Sequence, residues 1–125
     1  MLVRNRMSAP VHTIAQDADF QKALALMQEK RLRRLPVVDG SGNLVGIVVE
    51  RDLLVAAMRY LQSRVEVGDV MTRNVVTASP ETNLVDVAKT MLDRKIGGLP
   101  VLENGRLVGI VTESDIFRRF VELNG

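Results

Sequence analysis

The sequence predicts an α+β fold: two β-α-β-β-α repeats, residues 1–63 and 64–125, packed with pseudo-twofold symmetry into one module. Three observations predict it. Arg34-Leu35-Pro36-Val37-Val38-Asp39 recurs 64 positions later as Gly98-Leu99-Pro100-Val101-Leu102-Glu103. Leu44-Val45-Gly46-Ile47-Val48-Val49-Glu50-Arg51-Asp52 returns 63 positions later as Leu107-Val108-Gly109-Ile110-Val111-Thr112-Glu113-Ser114-Asp115, the first loop carrying one extra residue near Ser41. Upstream, Met7, Val11, Thr13 and Met27 match Met71, Val75, Thr77 and Met91. A lone unit of about 60 residues buries too little surface to be comfortably stable, so the two copies are expected to fold together.

The elements follow in the same order in each copy. Val11 to Ile14 and Val75 to Thr77 read as short strands, followed by polar turns at Gln16-Asp17 and Ser79-Pro80-Glu81. Phe20, Ala23, Leu24 and Met27, and likewise Leu84, Val87, Ala88 and Met91, lie at i, i+3, i+4 and i+7, which places them on one stripe of a helix. Two β-branched runs then flank Gly40-Ser41-Gly42-Asn43 or Asn104-Gly105, the pattern of a hairpin. A closing helix runs from Glu50 to about Ser63, or from Glu113 to Leu123, and Arg64 to Gly68 reads as a polar link.

Composition excludes several functions. The longest apolar runs, Leu44–Val49 and Leu53–Met58, are far shorter than the ~20 residues that span a bilayer, and Met1 to Pro10 lacks an apolar signal core, so a cytoplasmic setting is expected. With no Cys and one His, disulfides, thiolate catalysis, Cys-ligated zinc and two-His metal sites are ruled out. No metal, cofactor or catalytic residue is expected. The chain has no Gly-x-Gly-x-x-Gly, no Gly-Lys-Ser/Thr loop and no Gly-x-Ser-x-Gly elbow. Its net charge of +2 and its three Phe and one Tyr give a nucleic acid little to bind. The basic residues are mostly Arg, however, and Arg31, Arg33 and Arg34 crowd one stretch; guanidinium forks suit phosphate or carboxylate, while a solvated basic edge is the alternative.

The paired pattern Leu-Pro-Val-(Val/Leu)-(Asp/Glu) followed by Gly-Ile-Val-x-Glu-x-Asp resembles the CBS-domain family in its tandem form, the Bateman module. The resemblance covers nearly the whole chain and includes the lead-ins Val3 to Ser8 and Val67 to Thr72. It implies an adenosine-containing ligand, AMP, ADP, ATP or S-adenosylmethionine, in clefts between the repeats. Asp52 and Asp115 match the family's ribose-binding carboxylate, and Thr112 its hydroxyl partner, whereas the first copy has Val49 there. The family pattern pairs Asp115 and Thr112 with Val11 and His12, and Asp52 with Val75 and Val76, around the adenine, with Ile110 and Ile47 beneath. Arg33 and Arg34 stand where adenylate-sensing members carry phosphate-binding basic residues; the second copy has Gly97 and Gly98.

Other readings of the same residues stay open. Thr112-x-x-Asp115 is also the spacing of a helix capping box, and an Asp in the first turn gains from the helix dipole without any ligand. His12 also fits an ordinary strand histidine. The expectation is a free-standing regulatory pair that senses adenine-nucleotide levels and acts on an unlinked enzyme or transporter; the alternative is a ligand-free structural dimerisation module. The closing helices are apolar over more than one stripe, at Leu53, Leu54, Ala56, Ala57, Met58 and Leu61 and again at Ile116, Phe117, Phe120, Val121 and Leu123. A homodimer through helices 51–61 and 114–123 is therefore expected. Of the two carboxylates, Asp115 is expected to matter more for binding.

Overall fold

In the computed structural model, which describes residues 1–59 and 64–125, the repeated sequence becomes a repeated order of elements. These are β1 (Ile14–Ala15), α1 (Phe20–Lys30), β2 (Arg34–Val38), β3 (Leu44–Val49), α2 (Glu50–Arg59), α3 (Val67–Val70), α4 (Leu84–Arg94), β4 (Gly98–Glu103), β5 (Arg106–Thr112) and α5 (Glu113–Asn124), preceded by a 3-10 turn at Val3–Asn5. Leu61 and the expected helix end at Ser63 lie outside the described residues. No helix among the described residues is long and apolar enough to cross a membrane.

The chain forms two compact units, one of residues 12–75 and one of residues 1–11 with 76–125. These units divide the chain differently from the repeats read in the sequence. The lead-in of the second repeat, at Val67 to Thr72, packs in the first unit, and the lead-in of the first, at Val3 to Ser8, packs in the second.

In the unit of residues 12–75 the sheet order is β1-β2-β3, with β1 parallel to β2 and β2 antiparallel to β3. Helix α1 makes the crossover. Asp19 caps it by accepting from the Gln21 amide at 2.8 Å, and it ends at Arg31 in the left-handed region, where Leu32 N–H reaches Met27 O at 2.8 Å. Its buried stripe of Phe20, Ala23 and Met27 meets Leu35, Val37 and Val48 of the sheet and Leu53 of α2. The expected strand from Val11 to Ile14 is reduced to Ile14–Ala15. Ile14 pairs with Val37, so any upstream continuation would need a donor from Pro36, which has none. The expected polar link from Arg64 to Gly68 contributes two residues to the core. Val65 and Val67 are buried, Phe20 N–H bonds Val65 O at 2.9 Å, and Val67 opens α3.

The second unit repeats the pattern around β4 and β5, with Val3, Leu84, Val87, Met91, Leu99, Val101 and Val111 in its core. Asn83 caps α4, and Lys95 ends it in the left-handed region. The expected strand at Val75 to Thr77 is a single parallel bridge, Ala78 to Val101, for the same reason: Pro100 precedes the partner. The tight turn at Asn104-Gly105 has φ of 53° and 79°, the left-handed pair that favours Asn-Gly in a two-residue hairpin.

Candidate functional site

The two hairpins set up the chemistry by the same device. Pro36 lies opposite Ile47, and Pro100 opposite Ile110, at positions where the second strand's backbone groups point away from the hairpin. Ile47 therefore exchanges both backbone bonds with Thr72, at 3.0 and 2.8 Å, and Ile110 exchanges both with Ser8, at 2.9 and 3.2 Å. The preceding glycine lets the lead-in approach. A Cβ on Gly46 would stand 2.5 Å from Met71 Sδ, and one on Gly109 would stand 2.8 Å from Ser8 O. Each lead-in is thus held beside Ile47 or Ile110, a few residues before a helix that carries an aspartate in its first turn.

The two helix starts are anchored alike. Glu50 N–H donates to Arg33 O at 2.7 Å, and Glu113 N–H to Gly97 O at 3.0 Å. Their aspartates then diverge. Asp115 is 4% exposed and forms a capping box with Thr112. Its Oδ2 accepts from Thr112 N–H at 2.8 Å and from the Thr112 hydroxyl at 3.3 Å, and its Oδ1 faces Arg118 Nη1 at 3.4 Å. Asp52 is exposed and has no side-chain partner among the described residues; Val49, at the position of Thr112, offers no hydroxyl.

Asp52 opens onto a groove of about 620 Å³ along α2, walled by Arg59, Arg64 and Asp69 over Val55 and Val70. The Asp69 carboxylate is tied back to its own turn, accepting from Glu66 N–H at 3.0 Å. Arg59 and Arg64 have no ion pair among the described residues. On α5 the residue equivalent to Arg59 is Glu122, and there the face is closed: Arg6 from the lead-in places both terminal nitrogens on the Glu122 carboxylate, one at 2.7 Å. Arg6 holds the Glu122 carboxyl below the usual range, and its own pKa is raised by the same contact.

The expected site residues distribute as follows. The unit that carries Asp52 also carries Arg33, Arg34, Ile47, His12 and Val75; the unit that carries Thr112 and Asp115 also carries Ile110, Val11 and Val76. Arg34 pairs with Val49 across the hairpin, and Arg33 is exposed beside the start of α2, so both basic residues stand at the Asp52 end of their unit. His12 is exposed, while Val11, Val75, Val76 and Ile47 are half-buried. The two carboxylates differ in their contacts: Asp115 is engaged by the cap of its own helix, and Asp52 has no side-chain partner among the described residues. Arg59 and Arg64, which line the groove, are not among the residues singled out from the sequence; the aligned repeats show only that Arg6 and Glu122 of one copy stand as Val70 and Arg59 in the other.

The CBS domain model matches residues 3–59 and 67–122. An uncharacterized protein of Methanocaldococcus jannaschii is 34% identical over 116 residues, which are 93% of this chain; the chain spans only 41% of that relative's length. Among solved structures, the CBS domain pair of protein MJ0100 in complex with 5'-methylthioadenosine and S-adenosyl-L-methionine is 33% identical, with a TM-score of 0.91 and 98% of each chain covered. CBSX2 in complex with AMP is 31% identical, with a TM-score of 0.85, covering 99% of this chain and 98% of that one.

Proposed function

We propose that this chain, which belongs to the CBS domain family, is a regulatory pair that binds an adenosine-containing ligand and reports its level to a partner protein. The observation that carries the reading is the Asp at the start of each closing helix, in a chain similar over nearly its whole length to CBS pairs in complex with AMP and with S-adenosyl-L-methionine. A carboxylate so placed accepts both cis-hydroxyls of a ribose. Asp52 is the readier acceptor. On Asp115 a ribose would have to displace Arg118 and share Oδ2 with Thr112.

Arg33 and Arg34 supply phosphate donors; half-buried Val75 and Ile47 with His12 in one unit, and half-buried Val11 and Val76 with buried Ile110 in the other, supply apolar surface for a purine. The binding energy serves no reaction: the site residues are acceptors and guanidinium donors, with no activated nucleophile. The output is a shift in how the pair packs on an enzyme or transporter, in a cytoplasmic setting that fits a chain without cysteine. Assembly as a homodimer is part of the reading, because α5 leaves Phe117, Phe120, Val121 and Leu123 each more than 60% exposed and α2 leaves Met58 79% exposed. These same faces, with the self-satisfied capping box of Asp115, are what a ligand-free dimerisation module would need.

A thermal-shift series decides between the two. A ligand at a hundredfold over its dissociation constant stabilises by about 2.7 kcal/mol, a rise of roughly ten degrees for a domain of this size. AMP, ADP, ATP and S-adenosylmethionine are the probes. No rise with any of them at millimolar concentration refutes the regulatory reading in favour of the structural one.

A further inference from the structure

Beside the edge of β1, in the unit of residues 12–75, a groove of about 320 Å³ runs along α1. Lys22, Ala25, Leu26 and Glu29 form its helical wall at i, i+3, i+4 and i+7, and Thr13 and Ala15 stand on its strand side. The two charges lie about 10 Å apart along the helix, with the two apolar residues between them. Lys22 has no ion pair among the described residues, and Glu29 has only its exposed neighbour Lys30 at 3.9 Å. The strand side is open as well. Gln16 N–H bonds Val38 O at 3.1 Å, so Ala15, one residue back in a parallel ladder, turns its backbone groups away from β2. Its carbonyl takes Ala18 N–H at 3.1 Å, and its amide has no partner among the described residues.

The order cation, apolar, apolar, anion is complementary to itself when reversed. Two such helices laid antiparallel about a twofold axis bring Lys22 of each copy against Glu29 of the other, with Ala25 and Leu26 at the axis. The equivalent face of α4 lacks this property. Asp86, Lys89, Thr90 and Asp93 stand there, and the same arrangement would set Asp86 of one copy against Asp93 of the other. Its middle is polar, and the Thr90 hydroxyl is turned back to donate to Asp86 O at 3.0 Å. One unit thus carries a face that suits a copy of itself, and the other a face whose charges repel one.

We propose that the α1 groove and the β1 edge beside it form a self-association surface, on which a second copy of the chain docks antiparallel about a twofold axis. These residues are separate from the exposed apolar side chains of α2 and α5, and the inference needs no bound nucleotide. One helix face and a short edge make a contact below the standard size, so association falls at about 0.1–1 mM. It joins chains only where they are locally concentrated.

The test is sedimentation equilibrium of the full chain carrying Phe120→Glu, which keeps α5 out of the measurement, from about 20 to 800 µM at low salt. Its mass should rise from monomer toward dimer over that range. Lys22→Glu and Glu29→Lys, each added alone, set like charges together at both ends of the contact and should weaken association at least tenfold. Lys22→Glu with Glu29→Lys exchanges the signs and should restore it to within about threefold, a rescue that loss of helix stability would not produce. Salt at about 0.5 M should weaken the association of the starting chain and of the double reversal alike. The same reversals in the parent, read as loss of its largest species, keep the test valid if Phe120→Glu misfolds. No association across the range overturns the inference, leaving the groove to another protein or to none. Association that ignores the single reversals, or that the double reversal fails to restore, overturns it too.

Discussion

Replacing Asp115 with Ala should destabilise the ligand-free protein far more than replacing Asp52, and the difference follows from hydrogen bonds already made. Asp115 is 4% exposed and accepts from Thr112 N–H at 2.8 Å and from the Thr112 hydroxyl at 3.3 Å. Loss of a helix cap costs about 1 kcal/mol, and the amide left without an acceptor in a partly buried position costs about 1 kcal/mol more. The Arg118 contact adds little, because that side chain is 69% exposed. For 125 residues the unfolding entropy is about 260 cal/mol/K, so a loss of about 2 kcal/mol lowers the melting temperature by roughly 8 °C. Asp52 loses only its favourable place in the first helical turn, a few tenths of a kcal/mol and about 1 °C. Scanning calorimetry without ligand reads both. Melting temperatures within 2 °C of one another would refute the asymmetry. With AMP present the order should invert, Asp52→Ala weakening binding about ten- to a hundredfold and Asp115→Ala much less.

Gly46→Ala and Gly109→Ala should each cost about 1–3 kcal/mol, because the new methyl meets Met71 Sδ and Thr72 O in one case and Ser8 O and Met7 Sδ in the other; a urea midpoint unchanged in either variant would contradict the packing of the lead-ins. Stability should fall in acid as Glu122 and Asp39 protonate, the first held below the usual carboxyl range by Arg6, the second chiefly by the Asn43 amide. A carboxyl depressed in the folded state contributes stability that is fully present above its unfolded pKa, about 4, and is lost as pH falls through the folded value. Glu122→Gln should therefore flatten the acid limb of stability against pH, and an unaltered limb would count against the ion pair. Phe120→Glu should convert a dimer at tens of micromolar into a monomer by sedimentation velocity; a parent already monomeric there refutes the assembly.

Much of this was legible because the signals were local or repeated. The i, i+3, i+4, i+7 stripes of α1 and α4 appear as buried Phe20, Ala23 and Met27 and as Leu84, Val87 and Met91, and Asn104-Gly105 makes its turn. What failed was pairing across distance. The strands at Val11 and Val75 shrank because Pro36 and Pro100, more than 20 residues on, withhold a donor from the neighbour that would have paired with them. Val65 and Val67 look like isolated apolar residues in a polar link, and only the fold reveals that they close the core beside Phe20. Alternation within five residues carries too little pattern to show a core position.

The site followed the same division. Asp52 and Asp115 were found because the motif repeats, yet repetition hid their difference, which lies in residues the motif does not include. Thr112 adds to the Asp115 cap a hydroxyl donor that Val49 cannot offer Asp52. Val70 against Arg6, with Arg59 against Glu122, decides whether the face beyond it is filled by an ion pair or left open. An exposed ion pair contributes little to stability, so its presence in one copy and absence in the other changes the fold hardly at all. It changes what the face presents, from a paired Arg6 and Glu122 to a groove lined by Asp52, Asp69, Arg59 and Arg64 in which neither arginine has an ion pair among the described residues. Two copies of one fold can therefore share an architecture while differing in which charged side chains are paired among the described residues, and the residues that separate them are the ones under least demand from folding.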